Sequence, residues 1–345
     1  MHTQFFAHIN GPSDPRIADA AEIIRSGGLV AFPTETVYGL GASALDPDAV
    51  KRIFAAKGRP ADNPLIAHIA EFEAIRRLVS ALPPEAEALA KAFWPGPLTI
   101  ILPAAPSVPK EVTAGLPTVG VRLPANDIAR ALIKQSGVPI AAPSANSSGK
   151  PSPTTAMHVY DDMCGKIEAV LDGGRSGVGV ESTIVSLAGG TPKLLRPGGI
   201  SLEQLESLLG KVEVDKAVRE KLGDNEKPLA PGMKYRHYAP KAPMTLVVGD
   251  PEKTIKRIME LAGPNDGVIC FDEYFFRVTG TPYVRGFGHS SHPEEQAKRL
   301  FRILRSFDCL PVEQIYSQCP EEKGIGLAVA NRLKKAAGFS IISVD

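Results

Sequence analysis

At 345 residues the chain has room for two ordinary domains, each with its own core. The 43% hydrophobic and 22% charged fractions are those of a soluble globular protein, and the longest apolar runs, such as LTIILPAA, are far too short to cross a bilayer. Net charge is +1, and residues 1–200 hold 18 basic against 18 acidic side chains. That balance disfavours a large face gripping nucleic acid, while leaving room for a small cationic pocket.

The opening MHTQFFAHINGPSDP has no basic segment followed by an apolar one, so no signal peptide is expected. From residue 16 to about 205, short β-like runs alternate with helical patterns. The strands are expected at 29–34, 64–69, 98–104, 118–124, 138–144, 182–187 and 193–198. Asp46-Pro47-Asp48 reads as a helix start, a capping aspartate followed by proline at the first helical position, with Val50, Ile53 and Phe54 as the buried stripe. Residues 201–222 read as helical, and 223–243 as a polar, turn-rich linker. Beyond it lies a β-α-β-α pattern with strands at 244–249, 267–272 and 312–318 and helices at 251–262, 293–306 and 325–337. The 31 prolines and 32 glycines fit many strand-to-loop corners. Cys164, Cys270, Cys309 and Cys319 form no CxxC pair or metal-like spacing, as expected of buried or idle thiols in a reducing cytoplasm.

Several segments admit both a chemical and a structural reading. In Phe32-Pro33-Thr34-Glu35-Thr36-Val37-Tyr38-Gly39, a strand runs into small hydroxyl residues; these either face a ligand at the strand end or cap a turn. Lys57-Gly58-Arg59-Pro60-Ala61-Asp62-Asn63-Pro64 sets two cations at a helix end. They either complement the helix dipole or form a phosphate site fixed by the stiff turn. Pro143-Ser144-Ala145-Asn146-Ser147-Ser148-Gly149-Lys150-Pro151-Ser152 is a loop of hydroxyls and amides, either an anion nest or plain surface, and it lacks P-loop spacing. Arg122 lies in the apolar run TVGVRLP, where an unpaired charge is costly, so it reaches solvent or binds an anion. Arg196 precedes a Pro-Gly-Gly turn, and Ser182 leads its strand.

In this order FPTETVYGLG, KGRPADNPL with His68, TVGVRLP, APSANSSG, ESTIV and LRPGG closely resemble the threonylcarbamoyl-AMP synthase family, almost continuously over residues 15 to 200. PGMKYRHYAP (231–240) and the region after it resemble that family's two-domain form. The resemblance implies an α/β fold: a YrdC-like α/β-twist catalytic domain at 13–205, a linker or lid at 206–243 and a smaller Rossmann-like open α/β domain at 244–345. It implies condensation of L-threonine, bicarbonate or CO2 and ATP to L-threonylcarbamoyladenylate and pyrophosphate in the cytoplasm. A tRNA threonylcarbamoyl transferase complex would use the product, with no membrane and no strong direct nucleic-acid binding. By analogy, threonine is held by Thr36, His68, Arg122, the backbone at Ala142, and Ser182. The nucleotide lies against Arg59, Asn63, Thr118, Ser144, Ser152, Arg196 and Tyr235, with Lys57 and Arg59 as the catalytic cations, no metal-ligating side chain, and Mg2+ carried by ATP phosphates and water. Tyr235 and His237 are the linker residues expected to close over the cavity.

Two rivals remain: a concave RNA-binding module, disfavoured by the charge balance, and a carbamoyl-phosphate enzyme, which would carry an acylphosphatase-like segment and zinc-finger cysteines. Gly324–Ala330 resembles part of a dinucleotide fingerprint, but with no βαβ unit after it the segment reads as the start of the last helix.

Overall fold

A computed structural model describes residues 2–221, 228–233 and 237–344. The first part of the chain builds one large sheet from β1 (Gln4–Phe6), β2 (Val30–Phe32), β3 (Gly39–Ser43), β4 (Ile66–His68), β5 (Leu98–Pro103), β6 (Thr118–Arg122), β7 (Ile140–Ala141), β8 (Ala169–Leu171), β9 (Thr183–Ser186), β10 (Lys193–Arg196) and β11 (Glu213–Val214). Their spatial order is β1-β8-β2-β3-β7-β4-β6-β5-β9-β10-β11, with parallel and antiparallel pairs mixed. Helices α1 (Arg16–Arg25), α2 (Pro47–Lys57), α3 (Pro84–Phe93), α4 (Lys110–Thr113), α5 (Asp127–Ser136), α6 (Ala156–Met163) and α7 (Leu202–Leu209) accompany it.

The local chemistry of α2 follows the sequence closely. The Asp46 carboxylate accepts from the Asp48 and Ala49 amides at 2.9 and 3.1 Å, and Gly58 ends the helix in the left-handed region at φ 62°. Residues 201–222 depart from expectation. The helix stops at Leu209, because Gly210 (φ 74°) turns the chain and β11 pairs with β10 instead. Strand β3 is invisible to β-propensity, since GLGAS has no β-branched or aromatic residue. Its glycine is required by packing: a Cβ at Gly41 would lie 2.6 Å from Ile140 Cγ2 and 2.7 Å from Phe32 Cε1.

The second part is more regular. Strands β12 (Met244–Gly249), β13 (Gly267–Cys270), β14 (Val284–Gly286), β15 (Ile315–Gln318) and β16 (Ile341–Val344) form an all-parallel sheet in the order β14-β13-β15-β12-β16. Helices α8 (Pro251–Leu261), α9 (Pro293–Phe307) and α10 (Gly326–Ala336) complete it, so the glycine-flanked 324–330 segment does open the last helix.

The two halves share a tight seam. Leu327 of α10 packs into the first half's core, while Val37 and Val180 pack into the second's. Gly179 (φ 84°) sits so close to α9 that a Cβ there would lie 2.4 Å from the Ala297 carbonyl oxygen and 2.5 Å from Lys298 Cα. Among the described residues no helix is long and apolar enough to cross a membrane.

Candidate functional site

Sheet register creates the first pole of the site. Parallel pairing of β4 with β6 sets His68 beside Arg122 at neighbouring strand ends, and a bridge from Gly39 to Ser144 brings the β2–β3 turn against the hydroxyl loop after β7. The result is a chamber whose walls include Thr36, Lys57, Arg59, His68, Arg122, Ala142, Ser144, Ser152, Ser182 and Arg196. The three guanidinium groups therefore line one chamber. Thr118 lines a small adjoining pocket with Pro64, Leu65, Ile66 and Pro231. Asn63 is fully buried next to Pro64 in the chain, and neither its amide nitrogen nor its amide oxygen has a hydrogen-bond partner.

The polar groups are held by the backbone that delivers them. Thr34 Oγ1 donates to the Val37 carbonyl at 2.6 Å and lies 2.8 Å from Thr36 Oγ1, which fixes the turn presenting Thr36. His68 Nδ1 is 3.1 Å from the Ile66 carbonyl; a carbonyl only accepts, so Nδ1 carries the proton and Nε2 is the acceptor. Burial, helped by the Arg122 charge, pulls the imidazole down to about 3, which keeps it neutral. Lys57 donates to the carbonyls of Ser144 and Asn146 and so clamps the hydroxyl loop. Burial, with the Arg59 charge adding, lowers its ammonium well below the usual lysine range. Arg59 donates to the Asn63 carbonyl at 2.8 Å and stacks over Phe54 at 5.6 Å. The Ser144 hydroxyl donates to Asn146 Oδ1 at 2.6 Å. Ala142 lends its amide to the Ile66 carbonyl at 2.9 Å. Ser182 Oγ lies 2.8 Å from Thr99 Oγ1 and accepts from Arg196 Nη2 at 3.1 Å. Arg196 also donates to the Ser182 and Pro231 carbonyls, and burial pulls it down to about 10.

Sequence reasoning left two carboxylates without a role. Glu35 accepts from Arg122 Nη2 at 2.6 Å and from the Ala125 amide at 3.1 Å. Arg122 is 4% exposed, so of the two alternatives it does not reach solvent; it binds an anionic group, and that group is the fold's own Glu35 carboxylate. Among the described residues Glu181 is the sole carboxylate lining the chamber; it is held by Ser152 and by Arg332 of α10. The only available signal was an acidic residue at the head of ESTIV, beside a serine already suspected of binding. Gly232, His237 and Tyr238 of the linker line the chamber; Tyr235 lies outside the described residues. The arrangement is a largely cationic enclosure with neutral hydroxyls and a neutral imidazole at His68, suited to holding two anionic groups at once.

Comparison with known proteins places this chamber in context. Residues 22–198 match a family model for Sua5, YciO and YrdC proteins, described as telomere recombination. Residues 200–338 match one described as threonylcarbamoyl-AMP synthase, C-terminal domain. A threonylcarbamoyl-AMP synthase of Pyrococcus abyssi is 53% identical over 335 residues, covering 95% of this chain and 96% of the relative. One from Bacillus subtilis is 50% identical, covering 96% and 95%. The structure of P. abyssi Sua5 complexed with L-threonine superposes with a TM-score of 0.92 at 50% identity and covers both chains completely. Escherichia coli YciO matches 57% of this chain and 96% of its own, with a TM-score of 0.51 at 26% identity.

Proposed function

Because the chain belongs to the threonylcarbamoyl-AMP synthase family, we propose that its chamber holds threonine at the His68–Arg122 pole and ATP along the Arg59–Arg196 walls. The enzyme is a nucleotidyltransferase: it joins L-threonine, bicarbonate or CO2 and ATP into L-threonylcarbamoyladenylate, releasing pyrophosphate, for threonylcarbamoyladenosine formation in tRNA. The observation that carries the assignment of roles is the convergence of Arg59, Arg122 and Arg196 on one chamber beside a neutral histidine.

Arg122, steadied by Glu35, offers its remaining guanidinium donors to the threonine carboxylate. His68 Nε2, Thr36, Ser182 and the backbone at Ala142 receive the amine and hydroxyl. The neutral amine adds its lone pair to the carbon of CO2 as one C=O π pair moves to oxygen, and the nitrogen's proton passes to solvent, giving a carbamate. A carbamate oxygen then forms a bond to the α-phosphorus as the bond to the bridging oxygen breaks, and pyrophosphate leaves with the electron pair. Arg59, Arg196 and Lys57 offset the charge that builds on the phosphates, so the enzyme contributes position and electrostatics rather than a nucleophile. Thr118 takes the nucleoside in the adjoining pocket; Asn63, fully buried with an unmatched side-chain amide, lines neither that pocket nor the chamber and is assigned to the nucleotide from the family pattern alone. Ser144 and Ser152 supply part of the chamber wall on the nucleotide side. Magnesium enters with ATP, held by phosphate oxygens and water; both oxygens of Glu181 are already engaged by Ser152 and Arg332. Residues 231–232 and 237–238 cover the chamber and shield the labile carbamate from water. We assign the enzyme to the cytoplasm, handing its product to a tRNA-modifying transferase without itself gripping nucleic acid or a membrane.

The test is pyrophosphate release with ATP, threonine, bicarbonate and magnesium, each omitted in turn. Release is expected only with all four present. Equal release without threonine would overturn the assignment.

A further inference from the structure

A chamber built for anions has a carboxylate in its wall, and the residue that holds it comes from the other half of the molecule. Glu181 is 6% exposed and Ser152 is fully buried. The Ser152 hydroxyl donates to Glu181 Oε1, while Glu181 Oε2 accepts from Arg332 Nε at 2.8 Å. Arg332 is itself fully buried on α10, and its Nη1 donates to the Pro197 carbonyl at 2.9 Å, pinning the turn that follows Arg196. Its guanidinium also faces the Tyr238 ring at 5.7 Å. One arginine thus neutralises the only lining carboxylate among the described residues and fixes the backbone beside a phosphate-facing cation.

The direction of the first hydrogen bond has a chemical consequence. An ionised carboxylate only accepts, so the Ser152 proton must point at Glu181, and the serine oxygen turns its lone pairs away from it. A hydroxyl presented in that way repels phosphate oxygen, which has no proton to give, and suits a hydroxyl donor. We infer that Arg332 and Glu181 are positioning residues that hold Ser152 as an acceptor for a ribose hydroxyl of the bound nucleotide. This makes the C-terminal half a contributor to nucleotide selection, and it rests on the reading of the chamber as the ATP site.

The test compares ATP with 2′-deoxy-ATP and 3′-deoxy-ATP as substrates in threonine-dependent pyrophosphate release, using the full chain and the variants Arg332→Met, Arg332→Lys and Glu181→Gln. The native chain is expected to prefer ATP over one deoxy analogue by about tenfold, the worth of one hydrogen bond made inside an enclosed site. Arg332→Met and Glu181→Gln are expected to remove most of that preference and to raise KM for ATP more than they lower kcat. Arg332→Lys, which keeps the charge but not the fork, should recover part of it. Leu327→Ala loosens the packing of α10 against the first half without touching Glu181, so it should lower the melting temperature and leave the preference intact. A native chain indifferent to both deoxy analogues, or a preference unchanged in Arg332→Met and Glu181→Gln, would overturn the inference alone. Absence of threonine-dependent release from the native chain would overturn the reaction reading and this inference with it.

Discussion

The two halves treat buried polarity in opposite ways. The first half gathers its polar groups inward, around a chamber at the ends of short strands of mixed direction, and holds many of them with its own turns and carbonyls. The second half is a regular parallel sheet whose buried polar side chains include several that point across the seam. Arg332 reaches Glu181, Asn331 donates to the Val218 carbonyl at 2.7 Å, Lys335 to the Gly232 carbonyl at 2.6 Å, and Arg305 to the Pro151 carbonyl and Asp162. The lesson is that a parallel sheet need not use its own crevice to take part in chemistry. It can act as the rear wall of another domain's site.

That contrast can be broken most severely from the first half. Arg122→Ala is expected to reduce kcat/KM for threonine by about 100-fold or more, since it removes a buried charged contact and leaves Glu35 facing an empty position. Initial rates of pyrophosphate release against threonine concentration measure this, and an equal loss for ATP would show that the two poles are not separate. A second test uses acid. The His68 imidazole is held near 3 when folded, against 6.5 when unfolded, so between those values the unfolded chain binds one more proton. Stability should fall by about 1.4 kcal/mol per pH unit as pH drops through that window. Denaturant melts of His68→Gln should show a shallower fall; an identical slope would mean the imidazole is not buried neutral.

A third test, of similar size, probes the seam. Burial pulls Lys335 down to about 7 from 10.5, with Arg332 and Arg196 adding to the shift and Glu181 and Asp215 opposing it. Above pH 7 the folded form has released a proton that the unfolded form keeps, so stability should rise as pH climbs from about 7 towards 10.5. Lys335→Met should flatten that rise, by at most about 1.4 kcal/mol per pH unit. Melts of the two proteins at matched pH values measure the difference.

Much of this was legible in the sequence because the relevant signals are local. Asp46-Pro47, the alternation after residue 244 and the hydroxyl and glycine turns each announce their own geometry within a few residues. Strands β1, β8, β11, β14 and β16 were missed because two to four residues scarcely show a period, and β3 because its glycines answer to Ile140 and Phe32 rather than to propensity. The site was legible as a set of suspects, but not as an arrangement. Nothing local to TVGVRLP shows that Arg122 will meet Glu35, 87 residues earlier, and nothing in ESTIV shows an arginine 151 residues later. Such pairs exist only once sheet order and the seam are set.

The contact at Gly179 carries a different kind of restriction. What crowds the missing Cβ is the Ala297 carbonyl and the Lys298 Cα, main-chain atoms that every amino acid possesses. No exchange of side chains at 297 or 298 can therefore make room for a larger residue at 179, as a trimmed neighbour often can inside a core. Only sliding the whole of α9 would do so, and α9 carries Phe301 beneath Tyr238 and Arg305 against the chamber's loop. Freedom to vary at this one glycine is thus tied to the placement of an entire helix in the other half.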